Sequence, residues 1–263
     1  MKNTRRFCEK YGPYAMIAGG SDGLGRAFAE TLAKRGLNLV LLARGQERLE
    51  TTANSIREKY RVDVHTFAVD LSDYYRVKEI ISRLDFPIGL LVYNAAYAPI
   101  GLFEDTSEEQ LALAAAVNVT TPLLLCKLLS APMIQNRRGG IVLMSSLAGI
   151  QGSPRLAAYS ATKAFNAVLA EALWKELLPH GIDVVGCCAG AISTPGYRQA
   201  EKSKTAPGTL PAGTVAEQAL RALGKGPITV PGGLNKFVRF LMSRLLPRRA
   251  AIAIMAENTG GLS

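Results

Sequence analysis

At 263 residues the chain is long enough to bury one sizeable core, and a composition of 48% hydrophobic and 20% charged residues is typical of a globular protein. The net charge of +10 raises the question of nucleic acid, but most basic residues are scattered among acids without a recognition motif, so we expect no nucleic-acid partner. Four cysteines without ligand-like spacing and two histidines argue against a metal site and suit a reducing, cytoplasmic compartment.

No segment is predicted to span a membrane. The N-terminal residues MKNTRRFCEKYG lack the apolar run of a signal peptide. The most apolar stretch, residues 111–129, is interrupted by polar residues and a proline, namely Asn118, Thr120, Thr121, Pro122 and Lys127.

Short apolar runs alternate with longer segments of helical period along the chain. We predict strands at residues 14–18, 37–43, 62–69, 88–95, 139–146, 181–189 and 226–230, and helices at 24–36, 46–60, 73–84, 107–135, 157–178 and 214–223. This alternation is typical of strand–helix–strand units with parallel, buried strands. Because no linker interrupts it, residues 1–263 are predicted to form a single-domain α/β fold, a doubly wound (Rossmann) parallel sheet of about seven strands with helices on both faces.

Two segments after the sixth strand are predicted to lie on the substrate side. Residues 193–213 are rich in Pro, Gly, Ser, Thr and Lys and read as a mobile loop. Residues 235–249, NKFVRFLMSRLLPRR, have the pattern of a basic amphipathic helix, which we place near 234–247.

Two interpretations of this helix stay open. The favoured one is a helix that closes the cleft with its apolar face in the core, as most such helices do. The other is peripheral contact of residues 235–249 with an anionic membrane surface, suggested by the absence of any acidic residue from 218 to 256.

A glycine-rich turn follows the first predicted strand. The stretch AGGSDGLGR, residues 18–26, precedes a helix, which is the context in which such a turn approaches a pyrophosphate at the helix N-terminus. A dinucleotide is therefore preferred over an empty turn. Its contacts are predicted to be Gly19, Ser21, Gly23, Leu24 and Gly25.

The end of the second predicted strand indicates which dinucleotide binds. An acid there would bond the ribose, whereas Arg44 offers a charged fork suited to a 2′-phosphate, so NADP(H) is preferred over NAD(H). The alternative is an ordinary solvated arginine. The third strand ends at Asp70 and Leu71, where Asp70 is equally suited to bond adenine or to cap the next helix.

The stretch AAYSATKAF, residues 157–165, places Tyr159 and Lys163 four residues apart. On a helix these side chains share one face, and a nearby cation lowers the pKa of a phenol, so Tyr159 is predicted to exchange a proton near neutral pH. A surface helix with an unrelated Tyr and Lys is the plain alternative.

Together these features resemble the short-chain dehydrogenase/reductase family over most of the chain. The family's Tyr-x3-Lys signature matches Tyr159 and Lys163, and its serine falls on Ser146, thirteen residues before the tyrosine. The opening segment and the phrase YSATKAF look most like the branch of 17β-hydroxysteroid dehydrogenases and 3-ketoacyl-CoA reductases, without that branch's membrane helices. Other family positions match Asn94, Asn118, Gly190, Ile192 and Thr194.

The resemblance implies a role for each matched residue. Tyr159 would donate a proton to a substrate carbonyl, Ser146 would steady the alkoxide, and Lys163 would support the tyrosine and the nicotinamide ribose. In the family the asparagine at Asn118 lies in a helix distortion that holds a water of the proton relay; alternatively it only caps or kinks the helix. Departures from the family pattern, at Ala18, Tyr93, Ala96 and Ala189, concern the shape of the cofactor cleft.

The implied activity is NADP(H)-dependent interconversion of a ketone and a secondary alcohol on an apolar lipid, acyl or steroid-like substrate. The family's usual homodimer or homotetramer packs helices near 107–135 and 159–178. An alternative is a catalytically weak NADP(H)-binding regulatory protein, against which the complete set of chemical residues argues. A nucleotide-sugar epimerase would need a larger C-terminal domain than the roughly 70 residues after the sixth strand.

Overall fold

The structure, a computed structural model, describes residues 2–194 and 206–260. Its strands are β1 (Tyr14–Ala18), β2 (Asn38–Ala43), β3 (Val64–Ala68), β4 (Ile88–Tyr93), β5 (Gly139–Ser146), β6 (Ile182–Ala189), β7 (Ile192–Ser193), β8 (Leu210–Pro211) and β9 (Ile228–Thr229). Seven of them form one sheet in the order β3-β2-β1-β4-β5-β6-β9, and all neighbours in it are parallel. The predicted doubly wound parallel sheet is confirmed.

Helices connect the strands, as the alternating pattern predicts. They are α1 (Lys2–Tyr11), α2 (Gly23–Lys34), α3 (Gln46–Tyr60), α4 (Tyr74–Ser82), α5 (Glu108–Ala115), α6 (Thr121–Gln135), α7 (Ala157–Leu177), α8 (Ala212–Ala222), α9 (Gly233–Phe240) and α10 (Arg248–Thr259). The first of them, α1, falls in a segment for which the sequence predicted no element.

The sheet is apolar because both of its faces are covered. Along β1 and β2, side chains alternate between two buried clusters: Ile17 and Leu41 belong to one, and Met16 and Val40 to the other. Strands buried in this way need apolar residues at successive positions, which explains the near-continuous apolar runs in the sequence.

The order of the strands reverses between β1 and β4. From β1 the chain moves outward to β2 and β3, and then returns to place β4 on the other side of β1. Ala18 pairs with Tyr93 at the carboxyl ends of these two strands. In open α/β sheets a ligand crevice forms beyond the carboxyl ends at such a reversal.

The predicted helix at 107–135 is interrupted in the middle. Between α5 and α6 lies a π turn, Ala116–Thr120, and Tyr93 Oη donates to the Val117 carbonyl 2.5 Å away within it. Within the described parts of the chain, one helical segment, Glu108–Gln135, is long and apolar enough to cross a bilayer. Here its α6 portion packs on β4 and β5, where an apolar surface is also required.

The predicted mobile loop at 193–213 is ordered at both ends. Ile192 pairs with Leu210 in a short parallel ladder of β7 and β8, and α8 begins at Ala212 rather than at residue 214. Residues 195–205 lie outside the described residues.

The favoured interpretation of the C-terminal amphipathic helix is wrong. α9 and the π turn that follows it, Leu241–Leu245, bury only Asn235. The side chain of Asn235 donates to the carbonyls of Gly208 and Pro231, both 3.0 Å away, so a polar residue attaches this helix to the fold. Five large apolar side chains are exposed instead, at Leu234, Phe237, Val238, Phe240 and Leu245, whereas Leu241, Met242 and Leu246 are half-buried.

Candidate active site

The glycine turn between β1 and α2 is shaped by close backbone contacts. Gly19 has a φ of +83°, which favours glycine, and a Cβ at Gly25 would lie 1.7 Å from the Gly19 carbonyl oxygen. The side chain of Asn94 donates to the same carbonyl at 3.0 Å. Only glycine fits these positions, because a side chain at either one would meet neighbouring backbone, and the first amide of α2, Gly23 N, donates to Asp22 Oδ1 at 2.6 Å.

A cleft of about 610 Å³ begins at this turn and follows the carboxyl edge of β1, β2, β3 and β4. It brings together residues from four separate segments that the sequence assigned to the dinucleotide. They are Gly19, Ser21, Arg44, Asp70, Leu71 and Asn94. Leu24 and Gly25 are buried behind the turn in α2.

The rim of this cleft next to β2 carries two cations. Arg44 was predicted, and Arg48, four residues later on α3, was missed. Both side chains are exposed and both line the cleft. The available signal was a second arginine in the first turn of the helix that follows Arg44, since the start of that helix lies beside the end of β2.

Asp70 lines the cleft but also makes a local turn. Its Oδ1 accepts hydrogen bonds from Ser72 N and Ser72 Oγ, each 2.8 Å away. The Ser72 backbone bond, together with the charge of Arg44, lowers the pKa of the Asp70 carboxyl. The N-cap of α4 is Asp73, whose Oδ1 accepts from Arg76 N, so Asp70 does not cap this helix.

The residues predicted to carry the chemistry meet where β5 ends beside α7. Ser146 is the last residue of β5, and Tyr159 and Lys163 are one turn apart near the start of α7. Lys163 is 3% exposed; its Nζ lies 5.6 Å from the centre of the Tyr159 ring and donates to the Met144 carbonyl at 2.9 Å. In the reverse direction, Ser145 Oγ donates to the Lys163 carbonyl at 2.7 Å, so strand and helix are joined twice.

The protonation states of this pair differ from the sequence prediction. Burial raises the pKa of the Tyr159 phenol, and interaction with the Ser146 hydroxyl only partly offsets it. Burial also lowers the pKa of Lys163 to about 8. The expectation that the lysine lowers the phenol pKa is therefore wrong for this structure, because desolvation outweighs a cation that is directed at the Met144 carbonyl.

Asn118 lies in the π turn, fully buried, and holds the loop that lines the cleft. Its Oδ1 accepts from Tyr97 N at 2.8 Å, and its Nδ2 donates to the Tyr97 carbonyl at 2.7 Å. The same Nδ2 also donates to Thr162 Oγ1, one residue before Lys163, at 3.0 Å. Asn118 therefore connects the cleft wall to α7, which carries Tyr159 and Lys163.

A second asparagine at this contact was missed from the sequence. Asn166 is 1% exposed on α7, and its Nδ2 donates to the Asn118 backbone carbonyl at 3.0 Å. Its Oδ1 is buried and has no protein partner. The signal was a polar side chain three residues after Lys163 on the same helical face.

The remaining predicted cofactor residues follow β6. Thr194 lies against the glycine turn, because a Cβ on Gly23 would be 3.1 Å from Thr194 Cγ2. Gly190 lies against Asn235, and Ile192 is half-buried at the start of β7. A further cavity of about 200 Å³ is lined by Ser146 and by residues of the C-terminal segment, Arg239, Ser243 and Arg244.

Comparison with known proteins identifies the family of the chain. A family model described as short chain dehydrogenase matches residues 13–205. The very-long-chain 3-oxoacyl-CoA reductase of Podospora anserina is 37% identical over 192 residues, which are 69% of this chain and 55% of that protein. The inactive hydroxysteroid dehydrogenase-like protein 1 of Pongo abelii is 31% identical over 254 residues, 91% of this chain and 74% of that protein. The chain spans a little over half the length of several curated relatives that it matches.

Solved structures superpose on most of the chain. One of them, a short-chain dehydrogenase from Sphingobium yanoikuyae in complex with NADPH, is 30% identical, has a TM-score of 0.78, and is matched over 97% of its length and 89% of this one.

Proposed function

Because the chain belongs to the short-chain dehydrogenase/reductase family, we propose that it is an NADP(H)-dependent oxidoreductase that interconverts a ketone and a secondary alcohol on an apolar substrate. The observation that carries this proposal is the meeting of Ser146, Tyr159 and Lys163 at the end of β5, at the carboxyl edge of the sheet that also carries the dinucleotide cleft. These are the groups that a proton-coupled carbonyl reduction requires.

The residues of the cleft suit a 2′-phosphorylated dinucleotide. Arg44, after β2, and Arg48, in the first turn of α3, supply two planar, permanently charged groups, and Gly19 and Ser21 of the glycine turn line the same cleft, where a pyrophosphate would lie. When bound, the reduced cofactor supplies the hydride. NADPH in the related Sphingobium enzyme supports the same choice here.

Each residue of the chain then has a defined task in reduction. The Tyr159 hydroxyl keeps its proton through the neutral range, because burial raises its pKa, and donates this proton to the carbonyl oxygen. The Ser146 hydroxyl donates a hydrogen bond to the oxygen as negative charge develops on it. Lys163 stays protonated below about pH 8, so its charge would stabilise the negative charge that forms on the Tyr159 oxygen as the proton leaves.

Asn118 is proposed to serve the proton relay. The backbone carbonyl of Asn118 has two lone pairs. Asn166 Nδ2 donates to one of them, and we propose that a water molecule donates to the other. The side chain of Asn118 meanwhile fixes the Tyr97 backbone at the cleft wall.

The substrate class, assembly and location are proposed on separate grounds. A 3-oxoacyl-CoA reductase among the relatives favours a lipid, acyl or steroid-like substrate. A homodimer or homotetramer through α6 and α7 is supported by the exposed Leu123 and Val168 on these helices. We place the enzyme in the cytoplasm, with peripheral access to membranes where apolar substrates reside.

The second candidate is a catalytically weak NADP(H)-binding regulator. It is favoured by one relative that carries the name inactive. The complete set Asn118, Ser146, Tyr159 and Lys163 favours the enzyme, because cofactor binding alone needs no proton donor.

A direct assay separates the two candidates. Ketones, ketosteroids and 3-ketoacyl thioesters are incubated with the protein, and the oxidation of NADPH is followed by its absorbance. We expect turnover with at least one apolar ketone. Tight NADPH binding without turnover on any class would instead support the regulator.

A further inference from the structure

The outward face of α9 and its π turn is apolar although it is open to solvent. Phe237 and Leu245 are each 61% exposed, and Phe240 is 53% exposed. Together with Leu234 and Val238 they form one side of a short helical segment. Single exposed apolar residues are common on protein surfaces, whereas a contiguous apolar surface of this kind usually marks an interaction site. The residues that face the protein are the buried Asn235 and the half-buried Arg239, Leu241, Met242 and Leu246. Isolation in water is therefore costly for this face, and a partner that covers it would be favourable.

Cations surround these apolar side chains. Lys236, Arg244, Arg248 and Arg249 are exposed in the same segment, and the sequence from residue 218 to residue 256 contains no acid. We call the surface formed by Leu234, Lys236, Phe237, Val238, Phe240, Arg244 and Leu245 the basic apolar face.

The basic apolar face lies next to the catalytic serine. Arg239 and Arg244, on the same segment, line the cavity of about 200 Å³ that also reaches Ser146. Arg248 Nη1 donates to the Ile150 carbonyl at 3.0 Å, in the connection between β5 and α7. A surface that covers this face would therefore border the region where substrate reaches Ser146.

We propose that the basic apolar face docks on an anionic lipid bilayer. Peripheral membrane helices bind such a bilayer in two ways: apolar side chains insert at the headgroup boundary, and flanking Lys and Arg side chains are attracted to the anionic headgroups. A second copy of the chain fits the charge less well, because a two-fold interface would bring these cations against one another without any acid from the segment to pair them. Delivery of an apolar substrate from the bilayer to Ser146 rests on the proposed function, whereas docking itself does not.

The test is cosedimentation of the full chain with vesicles, which needs no turnover. Wild-type protein is expected to bind vesicles of phosphatidylcholine and phosphatidylserine, to bind phosphatidylcholine alone much more weakly, and to release as salt rises from about 0.05 to about 0.3 M. The double variant Lys236→Glu/Phe237→Ser is expected to lose at least about tenfold in vesicle affinity.

A matched control is available on α4. Tyr75 and Lys78 are likewise an exposed aromatic and an exposed lysine, and Tyr75→Ser/Lys78→Glu is expected to bind vesicles like the wild type. The oligomeric state of each variant is measured by sedimentation velocity, and its fold by circular dichroism.

Three results would overturn the proposal: no salt-sensitive binding to the anionic vesicles, an equal loss in both double variants, or a change of oligomeric state in Lys236→Glu/Phe237→Ser without any vesicle binding by the wild type. The last result would assign the face to a second copy of the chain. Vesicle binding by a protein that reduces no ketone would remove only the proposed function.

Discussion

The side chain of Asn166 on α7 donates a hydrogen bond to the backbone carbonyl of Asn118, 3.0 Å away in the π turn. This contact joins the helix of Tyr159 and Lys163 to the turn that holds the cleft wall. π turns inside longer helices are frequent at functional sites. Here the side chain of Asn166 donates to a backbone carbonyl that the widened turn exposes.

The variant Asn166→Leu tests whether this bond positions the site. It keeps a similar volume but leaves the Asn118 carbonyl without this donor, so we expect a loss of about 1 kcal/mol in unfolding free energy. A larger effect is expected on the reaction, about a tenfold lower kcat with little change in cofactor affinity. The exposed Asn54→Leu serves as control, and an unchanged kcat and pH profile would show that Asn166 only fills space.

The variant Tyr159→Phe removes the proposed proton donor and keeps the ring. Reductase activity should fall by about a hundredfold or more, because general acid catalysis typically contributes at least that much. NADPH binding, measured by fluorescence, should stay within about twofold, since no other group is changed. Tyr75→Phe is the control, and near-native turnover by Tyr159→Phe on an established substrate would contradict the assignment.

The variant Lys163→Met should be inactive yet more stable near neutral pH. The pKa of Lys163 falls to about 8 in the fold from about 10.5 in the unfolded chain, so the unfolded state binds more protons between these pH values. Wild-type stability therefore rises with pH across this window, and burial of the charge costs about 1–3 kcal/mol at pH 7 after the lost bond to the Met144 carbonyl is allowed for.

The measurement is urea unfolding of both proteins without cofactor at several pH values. The advantage of Lys163→Met should be largest at and below pH 7 and should shrink as pH approaches 10. A difference that is constant with pH would mean that Lys163 does not titrate in this range.

The variant Arg44→Asp should shift the cofactor preference from NADPH to NADH. A carboxylate there repels a 2′-phosphate and can bond a ribose hydroxyl, so KM for NADPH should rise about tenfold to a hundredfold. Arg48→Ala should also weaken the binding of NADPH, whereas Lys59→Ala, at the far end of α3, should leave it unchanged. Equal affinity of the wild-type protein for NADH and NADPH would remove this role from both arginines.

The sheet could be predicted from the sequence because its strands are buried on both faces. Such strands need apolar residues at successive positions, so β1, β2, β4, β5 and β6 stand out as short apolar runs. The two short strands β7 and β8 pair only two residues each and leave no comparable pattern.

The clustering of the candidate site could also be predicted, although roles for its residues remain predictions. A spacing of four residues fixes that Tyr159 and Lys163 share a helical face, and the carboxyl ends of parallel strands collect at one edge. Protonation could not be predicted in this way. The pKa of Tyr159 depends on how far α7 and β5 remove it from water, which spacing alone does not contain.

Which face of the C-terminal helix contacts the protein could not be predicted either. An amphipathic pattern shows that two faces differ, but not which one meets the protein. In α9 the deciding contacts are the bonds of Asn235 to the Gly208 and Pro231 carbonyls, and Gly208 comes from a segment some 27 residues earlier in the chain.

The attachment of α9 through Asn235 determines which substitutions in this segment the fold can accept. Both acceptors are backbone carbonyls, which are present whatever side chains surround them, so little in this anchor constrains the outward residues Leu234, Phe237 and Phe240. Gly208 is constrained, because a Cβ there would lie 2.5 Å from Asn235 Oδ1. Substitutions at these outward positions would therefore leave the anchor of α9 intact, whereas a side chain at position 208 would push directly against it.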